Sequence, residues 1–299
     1  MKETLVKLNY EYNHTSDTYS DGDVEETLLQ FVKENEQYDA IAAATDSFPI
    51  FYHLSKEREC IVEPMMISKN DTVLEIGSGC GAITGALAKR AAVVNCVELS
   101  ERRSMINAYK NHSCDNVEIY VGSYQDVHLD RQYDVVTLIG VFEYAMHYFH
   151  SDNPYVDFLL DVLGKVKEGG QLYIAIENRL GAKYLSGCIE DHAGYAYEGI
   201  NGYPKYKNAK TFSYNEWINL LEKCGIKKYR FMYPHPDYKF PRVIYSDDFL
   251  PSVGDFVEPS SNYYKKRGKS LDEIQFLNSL DMKNEFKLFA NSYLICITK

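Results

Sequence analysis

The stretch Thr72-Val73-Leu74-Glu75-Ile76-Gly77-Ser78-Gly79-Cys80-Gly81 decides the fold of this chain. Its apolar first half is typical of a buried strand, and its three glycines allow a tight turn and the close approach of backbone to a ligand. An alanine-rich helical pattern follows at residues 82–90. A strand, a glycine turn and a helix in this order predict the first crossover of a nucleotide-binding α/β sheet.

Two acids near the glycines bear on which nucleotide is bound. Residues 77–82 match the G-x-G-x-x-A form of the dinucleotide fingerprint. Glu75 would repel a pyrophosphate, whereas it suits the ammonium and sulfonium of S-adenosylmethionine. Glu98 ends the next apolar run, where an acid that binds ribose is expected for either cofactor. The alternative is that both acids only cap strands at a solvated edge.

Further segments follow the glycine stretch in a fixed order: residues 97–100, 122–126, 133–140 and 169–176. With residues 75–81 they resemble the successive motifs of class I S-adenosylmethionine-dependent methyltransferases, across residues 61–233 and the last strand. The resemblance implies S-adenosylmethionine as the cofactor. It implies contacts to that cofactor from Glu75, Gly77, Ser78, Gly79, Gly81, Glu98, Leu99, Tyr124, Gln125, Asp126 and Gly140.

A narrower resemblance lies in residues 139–144, 176–181, 190–192 and 236–241. These segments are similar to a bacterial methyltransferase subgroup that is often associated with glycan and surface-polysaccharide pathways. This resemblance implies a context and leaves the acceptor open.

The hydrophobic pattern predicts an α/β fold. We expect a Rossmann-like class I methyltransferase sheet with helices on both faces and an antiparallel C-terminal strand. Strands are predicted near 72–77, 93–98, 117–122, 133–139, 171–177, 227–233 and 292–298. Helices are predicted near 53–66, 82–90, 100–112 and 154–167, and a further one starts at the capping box of residues 213–216.

Residues 1–60 are predicted to form an N-terminal helical or lid segment, before a Rossmann-like domain at 61–299. Two insertions, near 178–212 and 234–291, are longer than a compact α/β unit requires and are rich in tyrosine. Because open α/β sheets bind ligands at the carboxyl ends of their strands, we expect these insertions to be ordered caps over the ligand.

The composition excludes several classes of partner. The net charge of −11 argues against a nucleic-acid binder, and the basic run at 265–267 is predicted to be a solvated loop. No apolar run is long enough for a membrane span, and the start of the chain lacks a signal-peptide core. Seven cysteines without C-x-x-C spacing predict reduced thiols in a cytoplasmic protein and no metal site. The oligomeric state stays open.

Methyl transfer requires an acceptor in the right place and protonation state, and no covalent nucleophile. Candidate bases are Glu143, Glu177, Asp191 and His192, of which His192 has the most suitable unperturbed pKa. We predict His192 and Glu143 as catalytic residues. The alternatives are an exposed loop histidine and a glutamate that caps a helix.

Acceptor-binding residues are predicted around the same segments: Tyr144, Asn178, Arg179 and Asp191. Arg179 would hold an anionic acceptor through a bidentate contact, or would simply pair with Asp191.

The sequence thus predicts an S-adenosylmethionine-dependent methyltransferase that acts on an oxygen or nitrogen of a small-molecule or glycan-type acceptor. One alternative is a non-catalytic partner protein that binds S-adenosylmethionine. A second is an NAD-dependent oxidoreductase, which Glu75 and the C-terminal strand pair disfavour.

Overall fold

The computed structural model describes residues 3–14, 22–34, 38, 45–261 and 268–299. The chain divides into two compact units. Unit 1 consists of residues 1–138, 164–172 and 299, and unit 2 of residues 139–163 and 173–298. The predicted domain boundary near residue 60 falls inside unit 1. The basic loop predicted at 265–267 lies outside the described residues.

Unit 1 is built on parallel strands. The strands are β1 (Lys7–Asn9), β2 (Thr72–Ile76), β3 (Val93–Glu98), β4 (Val117–Val121) and β5 (Tyr133–Ile139). Their order is β1-β4-β3-β2-β5, and each neighbouring pair is parallel. The apolar run before the glycines therefore pairs on both edges, which is why it reads as a continuous buried strand.

The helices that the structure describes in unit 1 include α1 (Asp23–Glu34), α2 (Phe48–Leu54), α3 (Thr84–Ala88) and α4 (Glu101–Lys110). One apolar core connects α1, α2 and α4 to the glycine turn, which we define as residues 77–81. Its buried members are Leu28, Leu29, Val32, Leu54, Cys80 and Ile106. A buried ion pair, Glu25 to Arg103 at 2.7 Å, also joins α1 to α4.

Unit 2 contains the end of β6 (Val166–Glu177), whose residues up to 172 belong to unit 1, then β7 (Tyr229–His235), β8 (Val243–Ser246) and β9 (Ser292–Thr298). Their order is β6-β9-β7-β8, and β7 is antiparallel to both β9 and β8. The helices are α5 (Ala145–Tyr148), α6 (Pro154–Gly164), α7 (Ala182–Leu185), α8 (Tyr214–Lys223), α9 (Glu273–Ser279) and α10 (Phe286–Phe289). The predicted α/β class with an antiparallel C-terminal strand is confirmed.

Three predicted elements differ from the structure. β6 starts at Val166 rather than near 171, because its Gly169 and Gly170 exchange hydrogen bonds with Lys299 instead of forming a turn. The helix predicted at 53–66 is α2 followed by a 3-10 helix (Lys56–Val62), since Ser55 is extended and caps the second helix. β8 lies inside the insertion predicted at 234–291, so that insertion does not directly join the last two strands.

Within the part of the chain that the structure describes, no helix combines the length and the apolar character that crossing a membrane requires.

Candidate functional site

The glycine turn of unit 1 places its glycines in left-handed backbone, with φ of +71° at Gly77, +52° at Gly79 and +75° at Gly81. A Cβ at Gly79 would meet no heavy atom within 4 Å, so the space beside this residue is open. A Cβ at Gly81 would lie 2.2 Å from Oδ1 of Asn107. Packing against α4 therefore explains the glycine at 81, and its predicted contact with the cofactor stays a prediction.

Glu98, the last residue of β3, holds the glycine turn through its carboxylate. Oε2 accepts a hydrogen bond from the backbone N–H of Gly79 at 2.7 Å, and Oε1 accepts one from Ser100 at 2.9 Å. The side chain is 6% exposed. Glu98 thus caps the glycine turn and is buried, not at a solvated edge as in the alternative. Its carboxylate is fixed next to the open glycine, where an acid that binds ribose is expected, and that contact stays a prediction.

Glu75 is tied beneath the turn by protein partners. Its Oε2 accepts hydrogen bonds from the Thr84 hydroxyl at 2.7 Å and from the Cys96 thiol at 3.4 Å. Burial raises the pKa of Glu75 to about 7, against the lowering effect of these hydrogen bonds. A cationic ligand would favour the ionised form, so the predicted pairing of Glu75 with the amino-acid end of the cofactor stays a prediction.

The other predicted cofactor residues are spread over both units. In unit 1, Ser78 and Tyr124 are buried, Leu99 is half-buried, and Gln125 and Asp126 are exposed after β4. Gly140 belongs to unit 2, where a Cβ would lie 2.7 Å from the Tyr238 hydroxyl. The open glycine with the fixed carboxylate beside it fits a nucleoside cofactor, which Gly79 and Glu98 would hold.

In unit 2, three of the candidate bases converge, and we call Glu143, Glu177 and His192 the Glu–His–Glu cluster. Nε2 of His192 lies 3.4 Å from Oε2 of Glu177 and 3.9 Å from Oε1 of Glu143. The side chain of His192 is only 9% exposed, so the alternative of an exposed loop histidine is wrong.

Local contacts fix each member of the cluster. Glu143 lies in a 3-10 helix (Phe142–Tyr144) directly after β5, and Glu177 is the last residue of β6. The loop that carries His192 is held by Glu190, whose Oε2 accepts the backbone N–H of His192 at 3.0 Å. The Tyr144 hydroxyl lies 3.1 Å from Nδ1 of His192 and orients the ring.

The three side chains of the cluster have pKa values that are shifted in different ways. Burial alone would lower the pKa of His192, but the charge and hydrogen bond of Glu177, together with the charge of Glu143, raise it to about 10. Burial would raise the pKa of Glu177, but Lys239 and His192 hold it well below its usual range. Burial raises the pKa of Glu143 to about 7, although the charge of His192 opposes this.

These pKa values bear on the predicted role of His192 as a base, which stays a prediction. At neutral pH its imidazole is protonated, so it has no lone pair with which to accept a proton from an acceptor. Glu143, the second predicted catalytic residue, titrates near neutrality. Its Oε2 is buried and has no hydrogen-bond partner among the described residues.

The ligand atoms of the cluster lie within 4.8 Å of one another, a spacing that would admit a metal ion. The ammonium of Lys239 already contacts Glu177 and supplies the positive charge that a metal ion would bring. We therefore interpret the cluster as a proton-transfer site.

Four charged side chains next to the cluster form what we call the ion-pair ring: Lys183, Asp191, Asp237 and Lys239. Lys183 contacts both aspartates, with its Nζ 2.9 Å from Oδ2 of Asp191. Nζ of Lys239 lies 3.2 Å from Asp191 and 3.9 Å from Asp237. Burial would raise the pKa of Asp191, but the two lysines lower it to about 2.

Lys183, Asp237 and Lys239 are not among the site residues predicted from the sequence. Asp237 and Lys239 could have been found from the segment at 236–241, because that segment carries part of the narrower family resemblance.

Two predicted acceptor-binding residues are occupied by protein partners. Nδ2 of Asn178 donates to the carbonyls of Leu288 at 2.9 Å and Ala290 at 2.8 Å, which ties β6 to the segment before β9. Nε of Arg179 lies 2.6 Å from Oε2 of Glu216, so the alternative that Arg179 pairs with Asp191 is wrong. We do not include either residue in the proposed acceptor site.

The known proteins to which this chain is similar are methyltransferases. Residues 73–170 match the family described as a methyltransferase domain. The ubiquinone biosynthesis O-methyltransferase of Coxiella burnetii (strain Dugway 5J108-111) is 28% identical over 184 residues, which cover 55% of this chain and 70% of that protein. Ribosomal RNA small subunit methyltransferase A of Malacoplasma penetrans (strain HF-2) is 27% identical over 118 residues, which cover 39% of this chain and 42% of that protein.

The chain spans about half or less of the length of most curated relatives that it matches. Among solved structures, one match is Haemonchus contortus phosphoethanolamine N-methyltransferase 1 in complex with phosphoethanolamine and S-adenosylhomocysteine. That match has a TM-score of 0.48 and 15% identity, and covers 92% of this chain and 48% of the other.

The matched methyltransferase domain supports an S-adenosylmethionine-dependent methyltransferase, and the glycine turn and Glu98 agree with it. Its cofactor is S-adenosylmethionine, and the oxidoreductase alternative is set aside.

Proposed function

We propose that the protein methylates a hydroxyl or amine of a small molecule or glycan, and that Glu143 accepts the proton that the acceptor loses. When bound, S-adenosylmethionine supplies an electrophilic methyl group. The observation that carries this proposal is the buried Oε2 of Glu143, which has no hydrogen-bond partner within the part of the chain that the structure describes. A carboxylate with a pKa of about 7 is well matched to general-base catalysis at neutral pH.

His192 has a supporting role in this proposal. Its imidazolium lies between the two glutamates and offsets their negative charge, which keeps Glu143 available in its ionised form. Tyr144 keeps the ring in place through Nδ1. The charge of His192, rather than its basicity, is therefore the property that serves the reaction.

The charges of the site favour an acceptor group that is not an anion. Lys183 and Lys239 are both engaged with carboxylates of the ion-pair ring or the cluster, and Arg179 is engaged with Glu216. A phosphate or carboxylate would have to compete with those contacts and would approach several buried acids. A neutral hydroxyl or amine avoids that cost and donates its proton to the free oxygen of Glu143.

The biological context is part of the same proposal. The narrower resemblance supports a bacterial glycan or surface-polysaccharide acceptor, and the name of the Coxiella relative supports transfer to oxygen. All seven cysteines are free thiols, which supports a cytoplasmic location.

Turnover measured with neutral acceptors and with matched anionic compounds tests this proposal. We expect S-adenosylhomocysteine to form with neutral sugars, phenols or primary amines, and not with matched compounds in which a carboxylate or phosphate replaces the reacting group. The measurement is S-adenosylhomocysteine release, with cofactor binding followed by calorimetry. Turnover confined to the anionic compounds would contradict the proposed acceptor chemistry. Cofactor binding without turnover on any compound would favour the non-catalytic alternative.

A further inference from the structure

Lys239 is the member of the ion-pair ring that reaches the Glu–His–Glu cluster. Its Nζ contacts Oε1 of Glu177, the oxygen that does not face His192. The side chain is 13% exposed. Lys183, the other lysine of the ring, contacts the two aspartates, Asp191 and Asp237.

The two glutamates of the cluster differ in what binds their second carboxylate oxygen. Both are buried, and both direct a carboxylate oxygen at Nε2 of His192. The second oxygen of Glu177 is bound by Lys239, whereas the second oxygen of Glu143 has no partner among the described residues. An ammonium that occupies a carboxylate keeps a proton off it.

We propose that Lys239 is a positioning residue for methyl transfer, which acts through Glu177 and His192 to make Glu143, and not Glu177, the proton acceptor. This inference rests on the proposed function. Lys239 holds Glu177 as an anion, this anion holds His192 as an imidazolium, and the remaining carboxylate is free to gain and lose a proton.

The surrounding charges agree with this role. The charges that act on Glu143 are those of His192, Glu177 and Lys239. Lys239 is surrounded by Asp191 and Asp237 of the ion-pair ring. Its Nζ also lies 4.7 Å from the centre of the aromatic ring of Tyr238. Burial would lower the pKa of Lys239, but Asp191, Asp237 and Glu177 hold it well above its usual value, so it stays charged.

The variant Lys239→Met tests this chain of contacts. Removing the positive charge should raise the titration midpoint of Glu143 by about one pH unit and that of Glu177 by about one to three units. The measurement is a pH titration of ¹³C-labelled glutamate side chains by NMR, on the full chain with S-adenosylhomocysteine bound. The NMR signals of Glu143 and Glu177 are assigned as those that disappear in the spectra of Glu143→Gln and Glu177→Gln.

Three further variants complete the experiment. Lys239→Arg keeps the charge and should restore both midpoints. Lys239→Gln keeps a hydrogen-bonding group without the charge, so it should shift them like Lys239→Met even if the latter does not fold. The control Lys227→Met removes an exposed lysine of unit 2 and should leave the midpoints unchanged.

The outcomes separate the inference from the function on which it rests. Unchanged midpoints in folded Lys239→Met or Lys239→Gln would overturn the role of Lys239, whatever Glu143 does in catalysis. A shift that Lys239→Arg does not reverse would also overturn it, because the effect would then not be one of charge. Full turnover by Glu143→Gln would refute the proposed function, even where the midpoints move as expected.

Discussion

Replacement of Glu143 by glutamine is expected to lower the rate of methyl transfer by about 10²–10⁴-fold, the usual contribution of a positioned general base. The amide has nearly the same shape as the carboxyl group but cannot accept the acceptor's proton. Fluorescence or calorimetry should show little change in affinity for S-adenosylmethionine, because the residues of the glycine turn are not altered. Single-turnover measurement of S-adenosylhomocysteine gives the rate.

The size of this loss should depend on the acceptor. An alcohol or sugar keeps its proton until the reaction, so its methylation should suffer most, whereas an acidic phenol that is already ionised should suffer little. The control is Glu222→Gln, an exposed glutamate on α8, which should retain the wild-type rate. Near-normal turnover of an alcohol by Glu143→Gln would remove Glu143 from the mechanism.

The variant Glu98→Ala is expected to weaken S-adenosylmethionine binding by about 1–3 kcal/mol, or roughly 5- to 150-fold, because a charge-assisted hydrogen bond to the ribose is lost. The structure adds a second effect. The same carboxylate accepts the backbone N–H groups of Gly79 and Ser100, so the glycine turn should also loosen and the melting temperature should fall.

Two companion variants separate these effects of Glu98. Glu98→Gln keeps one oxygen for the backbone contacts and should recover part of the melting temperature, yet bind the cofactor more weakly than wild type. Glu57→Ala, at an exposed position of unit 1, should change neither property. A lower melting temperature with unchanged affinity in Glu98→Ala would make Glu98 a structural cap only.

The elements of the fold that were predicted correctly are those that a pattern of neighbouring residues determines. The strand before the glycine turn carries apolar Val73, Leu74 and Ile76 because it pairs on both edges, so it can be identified from a few adjacent residues. The capping box of Ser213 and Glu216 is present as expected, since its hydrogen bonds span only three positions. β8 has only four residues, too few for a clear periodic pattern.

The protonation states of the candidate site could not be predicted from local sequence patterns, because they depend on contacts between residues that are distant in the sequence. Glu177 and Lys239 are separated by 62 positions and meet only once the chain has folded. Without that contact a histidine of ordinary pKa is the obvious base, whereas the folded chain makes it an imidazolium. Asn178 and Arg179 follow a strand end and were expected to face the acceptor, but tertiary partners occupy both.

The central claim is that Glu143 accepts the proton, and its most direct test is the pH dependence of the rate in wild type and in Glu143→Gln. A general base must be ionised, so the wild-type rate on a neutral alcohol should rise about tenfold per pH unit below pH 7 and level off above it, in line with a pKa of about 7. His192, with a pKa of about 10, stays protonated throughout this range. In Glu143→Gln we expect a low rate without that rise. The same rise in the variant, or a flat profile in wild type, would contradict the assignment.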